Sequence, residues 1–302
     1  MTELSFKPLS KDDSSLSTIK RPSVSYWQDA WARLKRHKLA MVGLGIIILM
    51  LLFAILGPYF SSISYSDQDL CRTFESPSAK YPMGTDNLGR SVFIRLAYGA
   101  RISLTVGIVA TIIALGIGVI YGTVAAFSGG VIENIMMRIV EVLMSVPKML
   151  IVILLMTVLK PGLSNVFLVL GIAGWLDMAR LVRGEVLSLK EREYILASRI
   201  SGVSRWNIML KHLIPNAMGP IIVATTLSVP GAIFLESFLS FMGLGVSAPM
   251  ASWGSMASEG ITSFRSYPHL LFFPAMFISV TILGFNLLGD SLRDVLDPKM
   301  KK

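Results

Sequence analysis

An all-helical integral membrane protein with six spans is what the sequence predicts, and three observations predict it. Only 16% of its 302 residues are charged while 53% are hydrophobic, against the ~25% charge that wets an ordinary soluble domain. The mean hydropathy is +0.64. The apolar residues also come in long uncharged runs, and a helix needs ~20 such residues to cross a ~30 Å hydrocarbon core. A lipid-facing backbone has to be helical to satisfy its own hydrogen bonds. The same composition excludes other classes. Disordered chains are poor in apolar residues. Cys71 is the only cysteine, so no disulfide forms within the chain. One cysteine and three histidines (His37, His212, His269) are too few for clustered zinc or iron–sulfur sites.

The elements follow in order. Residues 1–38 are polar and carry no cleavable signal peptide; an N-terminal cytoplasmic segment is expected there. Its end, "SYWQDAWARLKRHK", places Trp27, Ala30, Trp31 and Leu34 on one helical stripe beside basic residues, the pattern of a helix lying on the inner leaflet. Leu39 to Phe60, 22 residues without charge, is the first span. Residues 61–100 form a long outer loop rich in turn residues, and loops above ~15 residues usually either have a job or are disordered. Residues 101–290 form the core. Ile102 to Phe127 is its first span, with Ala110, Ala114, Gly118, Gly122 and Ala126 at every fourth position. Such a stripe lets helix backbones approach closely, inside the chain or with a partner. Val142 to Leu159, containing Lys148, is the third span, Leu163 to Ala179 the fourth, Leu213 to Leu235 the fifth and Leu270 to Gly289 the sixth. Residues 180–212 form a charged loop between spans four and five. Residues 237–269 are too apolar for a solvated loop and too broken by Gly and Pro for a span, so a re-entrant external segment is expected. Residues 291–302 are the tail.

Charge sets the orientation. With the N-terminus inside, the inner segments hold 20 of the 28 Lys and Arg residues and the outer ones 7, so the positive-inside rule puts both termini in the cytoplasm. The net charge of +9 is then a topology signal that calls for membrane lipid and no nucleic-acid partner.

No phosphate-binding GxxxxGK[ST] loop, HExxH or GxSxG motif occurs, so neither ATP binding nor hydrolysis is expected of this chain. Ionisable pairs at helical spacing, Arg138 with Glu141, Asp177 with Arg180 and Asp290 with Arg293, sit where spans leave the bilayer on one side. They read as interfacial ion pairs, and no relay of carboxylates crosses the membrane. Lys148 either snorkels to the inner interface or lines an aqueous cavity.

The loop between spans four and five, "VRGEVLSLKEREYILASRISGVSRWNIMLKHLIPN", has the composition of a folded projection. A helix through residues 190–201 ends at Gly202, suited to the left-handed conformation. Ser204 caps a second helix. This loop resembles the E-A-A-x3-G-x9-I-x-L-P motif of ATP-binding-cassette importer permeases. Its aligned positions are Leu196, Ala197, Ser198, Gly202, His212, Ile214 and Pro215; Ala197, Gly202 and Pro215 match, while Leu196, Ser198, His212 and Ile214 depart from the pattern. Glu193 lies in the same loop. The segments "GTDNLGRSVFIRLAYGARISL", "WLDMARLVRGEVLSLKEREYI", "ESFLSFMGLGVSAPMASWGSM" and "NLLGDSLRDVLDPK" are similar to the C-type permease subunit of oligopeptide, dipeptide and nickel importers, with "WQDA" and "WLDMAR" closest to the oligopeptide branch.

The resemblance covers about residues 26 to 300. It implies a type I importer permease fold in a bacterial inner membrane and half of a path for peptide uptake. The partners it implies are a second homologous permease, two ATP-binding subunits that carry the Mg-ATP, and a periplasmic or lipid-anchored substrate-binding protein. This chain then binds no cofactor or metal and performs no chemistry. Glu193, Ala197, Ser198, Gly202, His212, Ile214 and Pro215 would form the ATPase-coupling loop. The two outer stretches would meet the binding protein, with Trp253 as a contact. The alternative is a stand-alone secondary transporter or channel for a small solute, against which the missing inverted repeat of broken helices counts.

Overall fold

The computed structural model describes residues 26–296. The extreme N-terminal residues of the expected cytoplasmic segment and the end of the tail lie outside them. Eleven α-helices and two short 3-10 turns, Gly57–Phe60 and Leu70–Arg72, run through the described residues, with a lone bridge between Thr85 and Ser91 and no named strand among them. They are α1 (Tyr26–Arg36), α2 (Lys38–Leu56), α3 (Val92–Ser128), α4 (Gly130–Ser145), α5 (Lys148–Leu159), α6 (Leu163–Lys190), α7 (Glu193–Ile200), α8 (Arg205–Ile208), α9 (Ile214–Phe241), α10 (Trp253–Thr262) and α11 (His269–Leu296). A π-helical turn, Met209–Leu213, joins α8 to α9.

Five of these stretches are long and apolar enough to cross a membrane: Lys38–Phe60, Val92–Ser128, Leu163–Lys190, Arg205–Phe241 and His269–Leu296. The expected third span, Val142 to Leu159, is not one rod. It straddles the end of α4 and all of α5, which meet at 83°. Pro147 causes the break. Its ring drives the preceding residue out of the helical region, and Val146 is extended at φ −87° and ψ 130°.

Two other boundaries move. The fourth span runs on to Lys190 because Val182 and Val186 continue the buried stripe beyond the charged residues; the folded loop therefore begins near residue 191 rather than 180. The fifth runs to Phe241 through Pro220 and Pro230. Residues 237–241 of the expected re-entrant segment thus finish α9, and residues 253–262 form α10, packed against α9 and α11.

The small-residue stripe of α3 is a seam inside the chain. A Cβ on Gly118 would lie 2.5 Å from Met178 Cβ, and one on Gly122 would meet the Ala179 carbonyl. Lys190 Nζ donates to the Ala126 carbonyl at 3.0 Å, and Ile113 packs on Gly171. Positions rise together on both helices, so α3 and α6 run parallel, and α4 with α5 carries the chain back between them. The α2–α11 contact is equally close: a Cβ on Gly43 would lie 2.7 Å from the Gly284 carbonyl oxygen. Helix α1 buries Ala30 beside Val223 of α9 and Leu296 at the end of α11, and Leu34 is buried as well. Trp27 and Trp31 of the same stripe stay exposed, with Lys35 Nζ 5.2 Å above the Trp31 ring.

Candidate functional site

The segment from α7 to the start of α9 is a knob at the end of α3. Its root is apolar: Ile195, Ile208 and Leu213 are buried with Val182, Val186 and Ala126. The turn forms as its residues dictate. Gly202 has φ +75°, Gly202 N–H donates to the Arg199 carbonyl at 3.1 Å and Val203 N–H to the Ser198 carbonyl at 3.1 Å, closing the last turn of α7. Ser204 Oγ accepts the Asn207 N–H at 3.3 Å and caps α8.

Glu193, Ala197 and Gly202 are exposed on this knob and Ser198 is half-buried, its hydroxyl donating to the Tyr194 carbonyl at 2.8 Å. His212, Ile214 and Pro215 sit apart from them, at the root where α9 begins. The sequence motif therefore covers two places, a tip and a hinge-like base. The tip carries large apolar side chains outside the motif's aligned positions, Ile200 at 88% and Trp206 at 66% exposed with Leu210 near half, beside the aligned Leu196, also near half exposed. Charged neighbours surround them, Glu191, Arg192, Arg199 and Arg205, all exposed. Exposed apolar residues rimmed by polar ones mark an interaction surface. No void surrounds Gly202 that another part of the chain fills, since a Cβ there would meet nothing within 4 Å.

The opposite end of α3 holds the polar groups that sequence reading missed. Asp86 accepts Arg90 Nε at 2.7 Å and also pairs with Arg95; Glu259 of α10 accepts Arg90 Nη2 at 2.9 Å and Arg95 Nη2 at 2.9 Å. The expected outer loop is thereby locked to α3 and α10. Deeper, Glu236 of α9 is fully buried and accepts the hydroxyls of Ser103 at 2.9 Å and Ser240 at 2.7 Å. It is the membrane-depth carboxylate that the fifth span's expected end at Leu235 left out. The spacing "ESFLS", a carboxylate with serines one and four residues on, was its signal.

Trp253 is not an outer-face contact. It is fully buried, its indole N–H donates to the Leu96 carbonyl at 3.1 Å, and its ring lies 5.8 Å from that of Phe277. Ser252, in a capping box with Ser255, turns it inward at the start of α10. The ion pairs also differ from the expected ones. Arg138 does meet Glu141, at 3.0 Å, but Asp177 meets Lys148 at 3.3 Å.

The sequence that builds this long parallel seam, broken pair of helices and projecting knob matches a known family. Residues 114–302 match the model of the binding-protein-dependent transport system inner membrane component. The chain belongs to this family of importer permeases. Residues 25–77 match the N-terminal TM domain of oligopeptide transport permease C. The permease is 50% identical to Oligopeptide transport system permease protein OppC of Bacillus subtilis (strain 168), over 98% of this chain and 97% of that protein. It is 54% identical to Dipeptide transport system permease protein DppC of the same organism, over 94% and 89%. Among solved structures, an inward-facing MetNI methionine ABC transporter chain matches with a TM-score of 0.56 at 16% identity, covering 66% of this permease and 94% of that chain; this likeness speaks for the fold. The permease is a multi-pass inner-membrane protein, and its family is one of membrane subunits rather than catalysts.

Proposed function

We propose that this permease is one half of a peptide-import path and that the α7–α8 knob receives motion from separate ATP-binding subunits. The observation that carries the reading is the knob itself: Ile200 and Trp206 stand exposed on a charged projection whose root is packed into the ends of α3 and α6. A rigid root passes a push on the tip into the helix bundle, as helix shifts at subunit interfaces do. Peptide as substrate is supported by the names of the OppC and DppC relatives. The partners are a second homologous permease, two ATP-binding subunits holding the Mg-ATP, and a periplasmic or lipid-anchored substrate-binding protein. No cofactor binds this chain.

Six spans with both termini in the cytoplasm complete the reading. The parallel course of α3 and α6 supports them, since α4 and α5 must then cross together as one bent span. Residues 61–100 and the α9–α11 connection lie outside, and the knob lies inside. Two labels test this topology. Cys71 is exposed and is expected to react with a membrane-impermeant thiol reagent in spheroplasts. A cysteine at Ser201, with Cys71→Ser, is expected to react only after lysis. Labelling of Ser201→Cys from outside would overturn the orientation and the coupling role together. Ala197→Trp adds bulk at the exposed tip; it is expected to abolish peptide uptake at normal membrane levels, and uptake at the wild-type rate would refute the coupling role.

A further inference from the structure

The elbow between α4 and α5 encloses a feature that neither the knob nor the bundle core explains. Together with α6 it forms a hollow of about 180 Å³ lined by Met144, Pro147, Ile151, Trp175 and Leu176, with Lys148 and Asp177 at its edge. Lys148 is the first residue of α5, and its ammonium lies 3.3 Å from the Asp177 carboxylate, both side chains partly exposed. Asp177 continues along α6 into a stripe of exposed residues, Arg180, Gly184 and Ser188. Their spacing of three, seven and eleven residues from Asp177 keeps them on one helix face.

Depth makes this stripe informative. Met178 and Ala179, next to Asp177, pack on Gly118 of α3. Gly118 lies nine residues before the end of the uncharged run Ile102–Phe127, so Asp177 sits about 13 Å inside that run at 1.5 Å per residue. A charge facing hydrocarbon there is costly, and intramembrane ionisable residues face a cavity or a bundle interior instead. This face of α6 therefore lies against water or protein, not lipid. The pair itself is weakly held. A half-exposed Lys–Asp bridge is worth ~1 kcal/mol or less, so a ligand bearing both charges can replace it at little cost. Trp175, half-buried against Tyr121 at a 4.8 Å centroid separation, adds an apolar wall beside the two charges.

We infer that this elbow pocket is a station on the translocation path that takes a zwitterionic peptide, Asp177 facing its ammonium groups, Lys148 its carboxylates, and Trp175 with Ile151 an apolar side chain. The inference rests on the peptide-import reading. It explains why a path for varied peptides carries one cation and one anion that satisfy each other when empty. Weak holding also suits a site that must release its cargo.

The test uses the complete transporter with its native binding protein. Uptake of tri-lysine and tri-glutamate is measured for the wild type, Asp177→Asn and Lys148→Gln, which keep side-chain size. The binding protein is the same in all three, so any change in the ratio arises in the permease. Asp177→Asn is expected to lower the lysine-to-glutamate ratio about fivefold, the scale of one lost ~1 kcal/mol charge contact, and Lys148→Gln to raise it. Unchanged ratios would overturn the inference. Loss of the second permease on purification would overturn it too, making the pocket a subunit contact. Wild-type uptake of neither peptide, nor of a neutral tripeptide, would instead refute the peptide-import reading. A second readout is independent of uptake by the charge variants: Asp177→Cys with Cys71→Ser is expected to react with a charged thiol reagent in inside-out vesicles, more slowly with peptide present. An unreactive cysteine would place this face against lipid or protein and overturn the inference.

Discussion

At the start of α3, Arg90 and Arg95 are buried and share Asp86 and Glu259 in one closed network; at its far end, the knob leaves Ile200 and Trp206 bare. The first region pairs its buried charges within the chain, leaving only Arg95 Nε of its two guanidinium groups buried without a partner. Glu236 with its serines and the Trp253 indole extend the same arrangement deeper. The second region satisfies its backbone, through Gly202 and Ser204, but leaves its apolar tip without cover from the chain. The two ends of α3 differ in what completes them: the closed end sets where α10 and the long loop sit, and the open end is the one the proposed docking role would cover.

Substitutions sharpen this contrast, the largest effect falling at the closed end. Arg95→Ala leaves Asp86 and Glu259 short of a partner, and breaking a buried pair costs about 3–5 kcal/mol. The expected outcome is a permease with strongly reduced membrane level and a lowered melting temperature in detergent, read by thermal-shift fluorescence. A stable Arg95→Ala protein would break the comparison, since the network would then be incidental. Glu236→Leu removes the acceptor of buried serine hydroxyls, a loss of about 1–3 kcal/mol for an unsatisfied group. The same assay is expected to show a smaller drop, and no drop would mean the hydroxyls find carbonyls instead.

At the open end the effects on stability shrink while those on transport grow. Gly202→Val forces a β-branched residue to positive φ, a local strain of about 1–2 kcal/mol in a turn that no neighbour crowds. Membrane level is expected to stay near normal and uptake to be lost. Normal uptake by Gly202→Val at equal expression would sever the turn from function.

Much of the knob is legible in the sequence because its signals are local. A glycine between two short helices and a serine before the second dictate backbone geometry whatever surrounds them, and Gly202 and Ser204 do as their types require. The α3 stripe is legible for a similar reason, since Gly118 and Gly122 admit a backbone where larger residues cannot. The spans are legible in composition but not in course. Hydropathy counts apolar residues without regard to chain direction, and Pro147 breaks a helix while Pro220 and Pro230 do not. Which happens depends on neighbours far away in sequence. Trp253 and Arg95 were illegible because a lipid-facing side chain and a buried one have the same apolar surroundings, so no amphipathic period marks the inside. Their partners, Leu96 and Glu259, lie more than 150 residues away.

The open end as a docking surface is tested most directly by Ile200→Glu combined with Trp206→Ala, followed by purification of the complex through a tag on this permease. Neither side chain is buried, so membrane level and retention of the second permease are expected to match the wild type. Interface energy concentrates in a few such aromatic and aliphatic anchors. Recovery of the ATP-binding subunits is therefore expected to fall about tenfold or more, equivalent to ~1.4 kcal/mol, with uptake falling alongside. Full recovery of the ATP-binding subunits and wild-type uptake in the double variant would contradict the account.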